Sequence, residues 1–370
     1  MIHVRRATIL DKPAIFEFLK LAYGEAGLCK FPERWEWQFE NNPFKPNDQI
    51  PVFIAVTEDG QVIGQSAAMY EPLKVGTDQL ILTWALDAII LPEYRGKNLG
   101  FETLQLNCES SDLWMGMIMA TSSRHILTKL GCKEVDKVHS YRRVAFFDAD
   151  SVSLGFAHRS GMQKIDSLLR KIRVNEAVSR VINALIGIQD CLLNLTIAKS
   201  IDIEECENVG EEFDQFWERI QQEYPVIIQR NSQFLKWKYL EQPHVQYRFL
   251  KASRANKMCG YLIFRCAKPP ESNSGIIADI LTHPDDQATK KALLANALDR
   301  FKSEKVKYVY AASSMTSYQQ AFKALGFRKK KVITPLLHSK LDEQTAAPLF
   351  EHGNWFLGRS DHDWDQYPYA

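Results

Sequence analysis

The chain has 370 residues, of which 45% are hydrophobic and 25% charged, with a formal net charge of +1. The length exceeds what one hydrophobic core usually supports, and the charge balance argues against a nucleic-acid partner. There is no unbroken apolar run of roughly 18 residues to cross a membrane and no apolar leader after Met1, and the seven cysteines stand singly; a reduced, cytoplasmic protein without a bound metal is expected.

Ile2 to Ala7 reads as a first strand, and Thr8, Asp11 and Pro13 supply cap and first-turn signals for a helix running to Tyr23. The aromatic stretch from Phe31 to Phe39 reads as a second amphipathic helix with its rings on a sheet, or as the lining of a substrate cleft. Asp59-Gly60, between the apolar runs 51–57 and 61–69, makes a hairpin. Trp84 to Leu91 is a buried strand interrupted only by Asp87; Pro92 ends it. A short basic turn from Arg95 to Gly100 then leads into a helix, and successive N–H groups at such a helix start, beside Arg95 and Lys97, would form a concave positive site for phosphate. Leu113 to Thr121 is a further strand, a helix capped by Ser122 or Ser123 stops at Gly131, and Glu134 to Phe147 reads as a closing strand pair.

Residues 156–198 are mostly helical in pattern, with Ile165, Leu168, Leu169, Ile172, Val178, Ile182 and Leu185 forming a stripe expected to be covered by one or both domains. The same grammar then repeats. Helices at Phe213 to Tyr224 and Ser232 to Leu240 precede a hairpin from Val245 to Arg265; strands at Gly275 and Val306 follow, each leading into a helix. Gly64 answers to Gly260, Asp87 to Asp279, Pro92 to Pro284 and Gly131 to Gly326, at offsets of 196, 192, 192 and 195. Four matches in one order predict a duplicated domain. The expected divisions are a first domain 1–150, a helical linker 151–200, a second domain 201–340 and a packing tail 341–370. In that tail Asp361, His362, Asp363 and Asp365 are too few and too close for a recognised cation loop; capping the second domain or reaching toward the substrate cleft is expected instead.

Pro92-Glu-Tyr-Arg-Gly-Lys-Asn-Leu-Gly100 resembles the Gln/Arg-x-x-Gly-x-Gly/Ala loop of the GCN5-related N-acetyltransferase (GNAT) superfamily, with Asn98 where the middle glycine is expected. Leu127 to Cys132 and Phe322 to Phe327 resemble that family's later signature, and both lack its tyrosine. The resemblance implies an α+β fold of two tandem GNAT-like domains, each a mixed central β-sheet flanked by helices. The second is degenerate, because Arg95, Gly96 and Gly100 fall on Gln287, Ala288 and Ala292.

It also implies acetyl-coenzyme A bound at Ile90, Leu91, Arg95, Gly96, Lys97, Asn98, Leu99 and Gly100, with an amide near Ile90 or Leu91 facing the developing oxyanion. The implied reaction is N-acetyl transfer by direct attack of the amine of a small molecule, an amino sugar or an amino acid derivative, without a metal, in a monomer or homodimer. A non-catalytic acyl-coenzyme A sensor, or transfer of a different acyl group, is the alternative. Asp87 is the first candidate for a catalytic group because it breaks an apolar strand, although a carboxylate merely bonded to neighbouring strands fits the same pattern. His139 and Tyr141 share one face of a predicted strand that could point into the cleft.

Overall fold

The computed structural model describes residues 2–24, 32–148, 174–195, 197–198, 200–267 and 272–366. The first half runs β1 (Ile2–Arg6), α1 (Lys12–Tyr23), α2 (Glu33–Trp35) continued by a π-helical turn over Glu36–Glu40, β2 (Val52–Thr57), β3 (Val62–Val75), β4 (Asp78–Ile90), α3 (Leu99–Cys108), β5 (Leu113–Gly116), α4 (Thr121–Lys129), β6 (Lys133–Glu134) and β7 (Val138–Val144). After α5 (Val174–Asn194) come β8 (Asp202–Cys206), α6 (Glu211–Ile220), β9 (Val226–Ile228), and α7 (Ser232–Leu235) with its own π-helical turn over Lys236–Leu240. Then follow β10 (Arg248–Arg254), β11 (Lys257–Ala267), β12 (Ser274–Thr282), α8 (Gln287–Ser303), β13 (Tyr308–Ser313), α9 (Thr316–Ala324), β14 (Arg328–Ile333), β15 (Leu336–Ser339), α10 (Glu343–Phe350) and β16 (Trp355–Phe356).

Two mixed sheets result. The first has the order β1-β2-β3-β4-β5-β15-β6, with β9 added to β3 and β16 to β9; the second has the order β14-β7-β13-β12-β11-β10-β8. Each contains a parallel pair at its centre, β4 with β5 and β12 with β13. The hairpins feeding these pairs repeat in register, Gly64 opposite Ile90 and Gly260 opposite Thr282. Both glycines are required by close approach: a Cβ would stand 2.2 Å from Ile90 Cδ1 in one hairpin and 2.7 Å from Thr282 Cγ2 in the other.

A boundary at residue 150 does not follow the sheets. Residues 134–147 do not close the first sheet as a pair. β7 lies between β13 and β14 in the second sheet, with Tyr141 opposite both Ala311 and Lys329, while β15 from the second half fills the slot between β5 and β6 in the first. The halves have exchanged a strand. Edge-to-edge pairing is set by which hydrogen-bonding row a strand finds in space, and the alternating pattern of β7 suits either slot.

Burial follows the exchange. One apolar cluster runs through both halves, from Ala7 and Ile15 to Phe356 and Trp364, in place of two separate cores. Across it, Lys238 Nζ lies 2.6 Å from Glu71 Oε1, both side chains fully buried, and Trp84 Nε1 donates to Glu71 Oε2 at 2.8 Å. Removing two charges from water costs several kcal/mol per ion, so the pair adds little net stability, whereas losing one partner would leave a buried charge uncompensated.

Helix α5 packs on the second half through its polar side: Ser179 Oγ and Asn183 Nδ2 donate to Phe147 O at 2.6 and 2.7 Å, and Asp190 meets Arg143 and Lys302. The expected covering of its apolar stripe is not met, since Val178 and Leu185 are exposed; Ile165, Leu168, Leu169 and Ile172 fall outside the described residues.

Candidate functional site

The parallel pairing of β4 with β5 lasts for only two positions, Thr83 with Trp114 and Trp84 with Met115. Beyond them β4 continues unpaired on that side, because its register with β3 slips between Gln65–Ile89 and Ala67–Leu86, leaving Asp87 and Ala88 opposite Ser66 alone. Such a bulge bends a strand away from its neighbour. Asp87 takes a left-handed φ of 46° there, a conformation costing of order 1–3 kcal/mol that only its surroundings can hold.

A groove of about 720 Å³ begins at this split and runs between α3 and α4, reaching Ile90, Arg95, Gly96, Asn98, Leu99 and Gly100. Gly96 has φ 83°, and Asn98, the residue before α3, has φ 64° and ψ −1°. Asparagine tolerates that left-handed state better than other side-chain-bearing residues, so the turn keeps its shape where a glycine was expected. The Asn98 side chain does not cap α3; its Nδ2 lies 3.4 Å from Glu102 Oε1. The helix start is thus left without a side-chain cap, with the Glu102 carboxylate of its first turn held beside Asn98.

Two of the expected coenzyme residues sit otherwise. Leu91 is buried and its N–H donates to Ile63 O at 2.9 Å, so that amide is already used; Lys97 lies with its ammonium 5.1 Å from the Tyr94 ring centre.

The corresponding helix start in the second half is filled by its own side chains. Asp286 caps α8, accepting from Thr289 N at 2.9 Å and Thr289 Oγ1 at 2.7 Å, and Lys290 Nζ donates to His283 O and Pro284 O at 2.9 and 2.6 Å. Burial pushes the Lys290 amine down to about 8. The split between β12 and β13 is filled as well. Gly358 bridges Ser313 at the end of β13, and Ser360 N donates to Ala278 O of β12 at 3.1 Å, so the C-terminal tail threads across the gap.

Beside the first split lies a smaller cavity of about 270 Å³, which shares Ala88, Leu104, Ala120 and Ser123 with the groove. Asp87 lines it and accepts a hydrogen bond from Tyr23 OH at 3.2 Å. The tail closes it with His362, Asp363 and Trp364. His362 Nε2 lies 2.6 Å from Ala85 O on β4, its Nδ1 lies 2.6 Å from Asp363 Oδ1, and Asp363 meets Arg34 at 3.3 Å. Burial pulls the His362 imidazole down, but Asp363 and the Ala85 carbonyl outweigh it and hold the ring above its ordinary value. The ring clasps the tail to the strand.

His139 and Tyr141 line neither cavity. Both belong to β7 in the second sheet, where Tyr141 is fully buried with its hydroxyl on Gln319 Oε1 at 3.3 Å, and burial together with Lys329 keeps His139 below its usual value. Tyr23, His362 and Asp363 were not singled out as site residues by their sequence; the only signal was the Asp-His-Asp-Trp run in the tail. Its neighbours are structural, Asp361 on Arg230 at 2.5 Å and Asp365 on Tyr247. Asp279, which matches Asp87 by offset, is buried against Arg230 and Tyr261, each at 2.9 Å.

No protein-family model and no curated protein matches the sequence. Among solved structures the chain is similar to a GCN5-related N-acetyltransferase from Anabaena variabilis (12% identity, 95% of this chain and 75% of that one, TM-score 0.59). It is similar too to a probable N-acyltransferase from Enterococcus faecalis (11% identity, 94% and 75%, TM-score 0.57). A third is the N-myristoyltransferase of Saccharomyces cerevisiae with bound myristoyl-coenzyme A (10% identity, 93% and 86%, TM-score 0.55). The chain thus has the mixed α+β fold of the GCN5-related N-acetyltransferases, spread over two sheets.

Proposed function

We propose that this chain is an acyltransferase that moves an acetyl group from acetyl-coenzyme A to the amine of a small molecule. One contrast carries the reading: the first sheet keeps an open split leading to an uncapped helix start, whereas the second has both features filled by its own residues. The fold likeness to N-acyltransferases supports acyl transfer in general. Acetyl as the group and a small amine as the acceptor rest on the modest volume of the cavity beside the split.

The coenzyme supplies the activated thioester; the chain has to bind, orient and accept a proton. Backbone amides from Gly96 to Gly100, with the α3 dipole and Arg95, suit a pyrophosphate. Arg95 is held in place by its Nε bond to Ile90 O at 3.1 Å. Asp87, fixed by Tyr23, takes the proton that the ammonium must lose before its nitrogen can attack the thioester carbon, and the proton shed as the amide forms goes to the departing coenzyme A thiolate. The Asp87 carboxylate on this small cavity favours an acceptor that arrives as an ammonium, while Asp363, paired with His362 and Arg34, shapes the wall. His139 and Tyr141 have no part in this reading, and the second sheet serves as a degenerate copy that completes the wall of the acceptor cavity through the tail it anchors.

The test is release of free coenzyme A thiol from acetyl-coenzyme A in the presence of pooled small amines, with mass detection of the acetylated product. Turnover with at least one amine, reduced about 100-fold or more in Asp87→Asn while coenzyme binding persists, is the expected outcome. Tight coenzyme binding with no acceptor turned over would favour a sensor instead.

A further inference from the structure

The exposed side of α5 has a regular design that the candidate site does not use. Val178, Val181, Leu185, Ile188 and Leu192, with Leu195 just past the helix end, are spaced alternately three and four residues apart, and each is between 38% and 78% exposed. That alternation, over about two and a half heptads, matches the a and d spacing of a coiled-coil seam. The opposite side of the helix is already spent on Phe147, Arg143 and Lys302.

We infer that α5 is a dimerisation helix, its seam packing against α5 of a second copy of this chain about a two-fold axis. Three observations select that occupant. From Val181 to Leu195 the outward positions carry no charge, and the single charged residue of the span, Asp190, is turned toward Arg143; an uncharged apolar strip is complementary to itself. A bilayer-binding helix would flank its apolar strip with Lys and Arg on the polar face, which here is packed on protein. The extent also suits a pair of copies: α5 has 21 residues, about 31 Å of helix, and six such side chains present roughly 500 Å² of apolar surface. Two copies would then bury about 1,000 Å², the lower end of a specific interface.

The proposal is independent of the acyl-transfer reading and is tested without substrate. Sedimentation velocity on the full chain from about 1 to 100 µM should show a dimer, and Leu185→Glu should raise the dissociation constant at least 100-fold without altering the far-ultraviolet circular dichroism. Leu10→Glu, at a still more exposed leucine elsewhere, should leave the dimer intact. If Leu185→Glu fails to fold, Leu192→Gln near the helix end provides the same readout. A wild-type monomer at 100 µM, whether because residues 149–173 of the same chain cover the seam or because the protein partitions onto neutral lipid vesicles instead, overturns the proposal. So does a dimer indifferent to both seam substitutions.

Discussion

Trp37 and Trp237 stack on each other at the junction of the two halves, with ring centres 5.0 Å apart and planes at 20°. Each indole N–H donates to the other residue's carbonyl, at 2.8 Å from Trp37 and 3.3 Å from Trp237. Both lie in π-helical turns, where the widened backbone frees a carbonyl from the helix ladder and offers it to a neighbour. The aromatic stretch around Trp37 thus serves the junction, and only indirectly the site.

Trp37→Ala should destabilise the protein by about 3–5 kcal/mol, since it empties a large buried volume and leaves the Trp237 carbonyl without its donor. Because one apolar cluster spans both halves, calorimetry should still show one transition at a lower temperature. Two separate transitions in the wild type would contradict the shared core.

Coenzyme binding should have a stoichiometry of one. Gly100→Val is the sharper probe: a Cβ at Gly100 meets only Ile90 Cγ1, at an ordinary 3.7 Å, so the fold accepts a side chain that the ligand does not. Calorimetric titration with acetyl-coenzyme A should show a loss of at least 10-fold in affinity with an unchanged melting temperature, and Asn98→Gly should bind as well as the wild type. Undiminished affinity in Gly100→Val would move the site elsewhere.

The tail clasp predicts a separation of effects. His362→Ala removes the link to Ala85 O and loosens the wall of the small cavity, so acceptor turnover should fall, of order 100-fold for a displacement of about 1 Å, while coenzyme affinity stays within a factor of about 3. Competition binding and turnover on the same preparation would show whether both change together, which the geometry does not allow.

Acid stability should depend on Glu205. Arg248 and then Arg300, bonded to its two oxygens at 2.6 to 3.0 Å, hold its carboxyl down at about 2 against the opposing effect of burial. With the folded value below the unfolded one of about 4.5, the contribution is complete above pH 4.5 and is lost as pH falls through 2. Denaturant melts of Glu205→Gln should run parallel to the wild type above that window and converge on it below; a constant gap down to pH 2 would exclude the linkage.

The basic turn between Pro92 and Gly100 was legible because it is local. A strand, a proline stop, glycines and a helix start are properties of consecutive residues, and they determine a left-handed turn with amides facing outward wherever the segment lies. The recurrence of hairpin glycines and strand ends at nearly constant offsets was readable for the same reason, and the two hairpins do share a register. Sequence alone also marked Asp87 as anomalous, since a carboxylate in an apolar strand needs a reason. The tertiary structure decided everything that depends on which distant segments meet. It exchanged β7 and β15 between the sheets, which removed His139 and Tyr141 from the first half. It threaded residues 358–363 through the second split and onto β4, giving the small cavity a wall of His362 and Asp363. Strand pairing and tail docking are chosen by burial and by unpaired backbone groups far along the chain, and a pattern of period two is blind to which row of such groups it will satisfy.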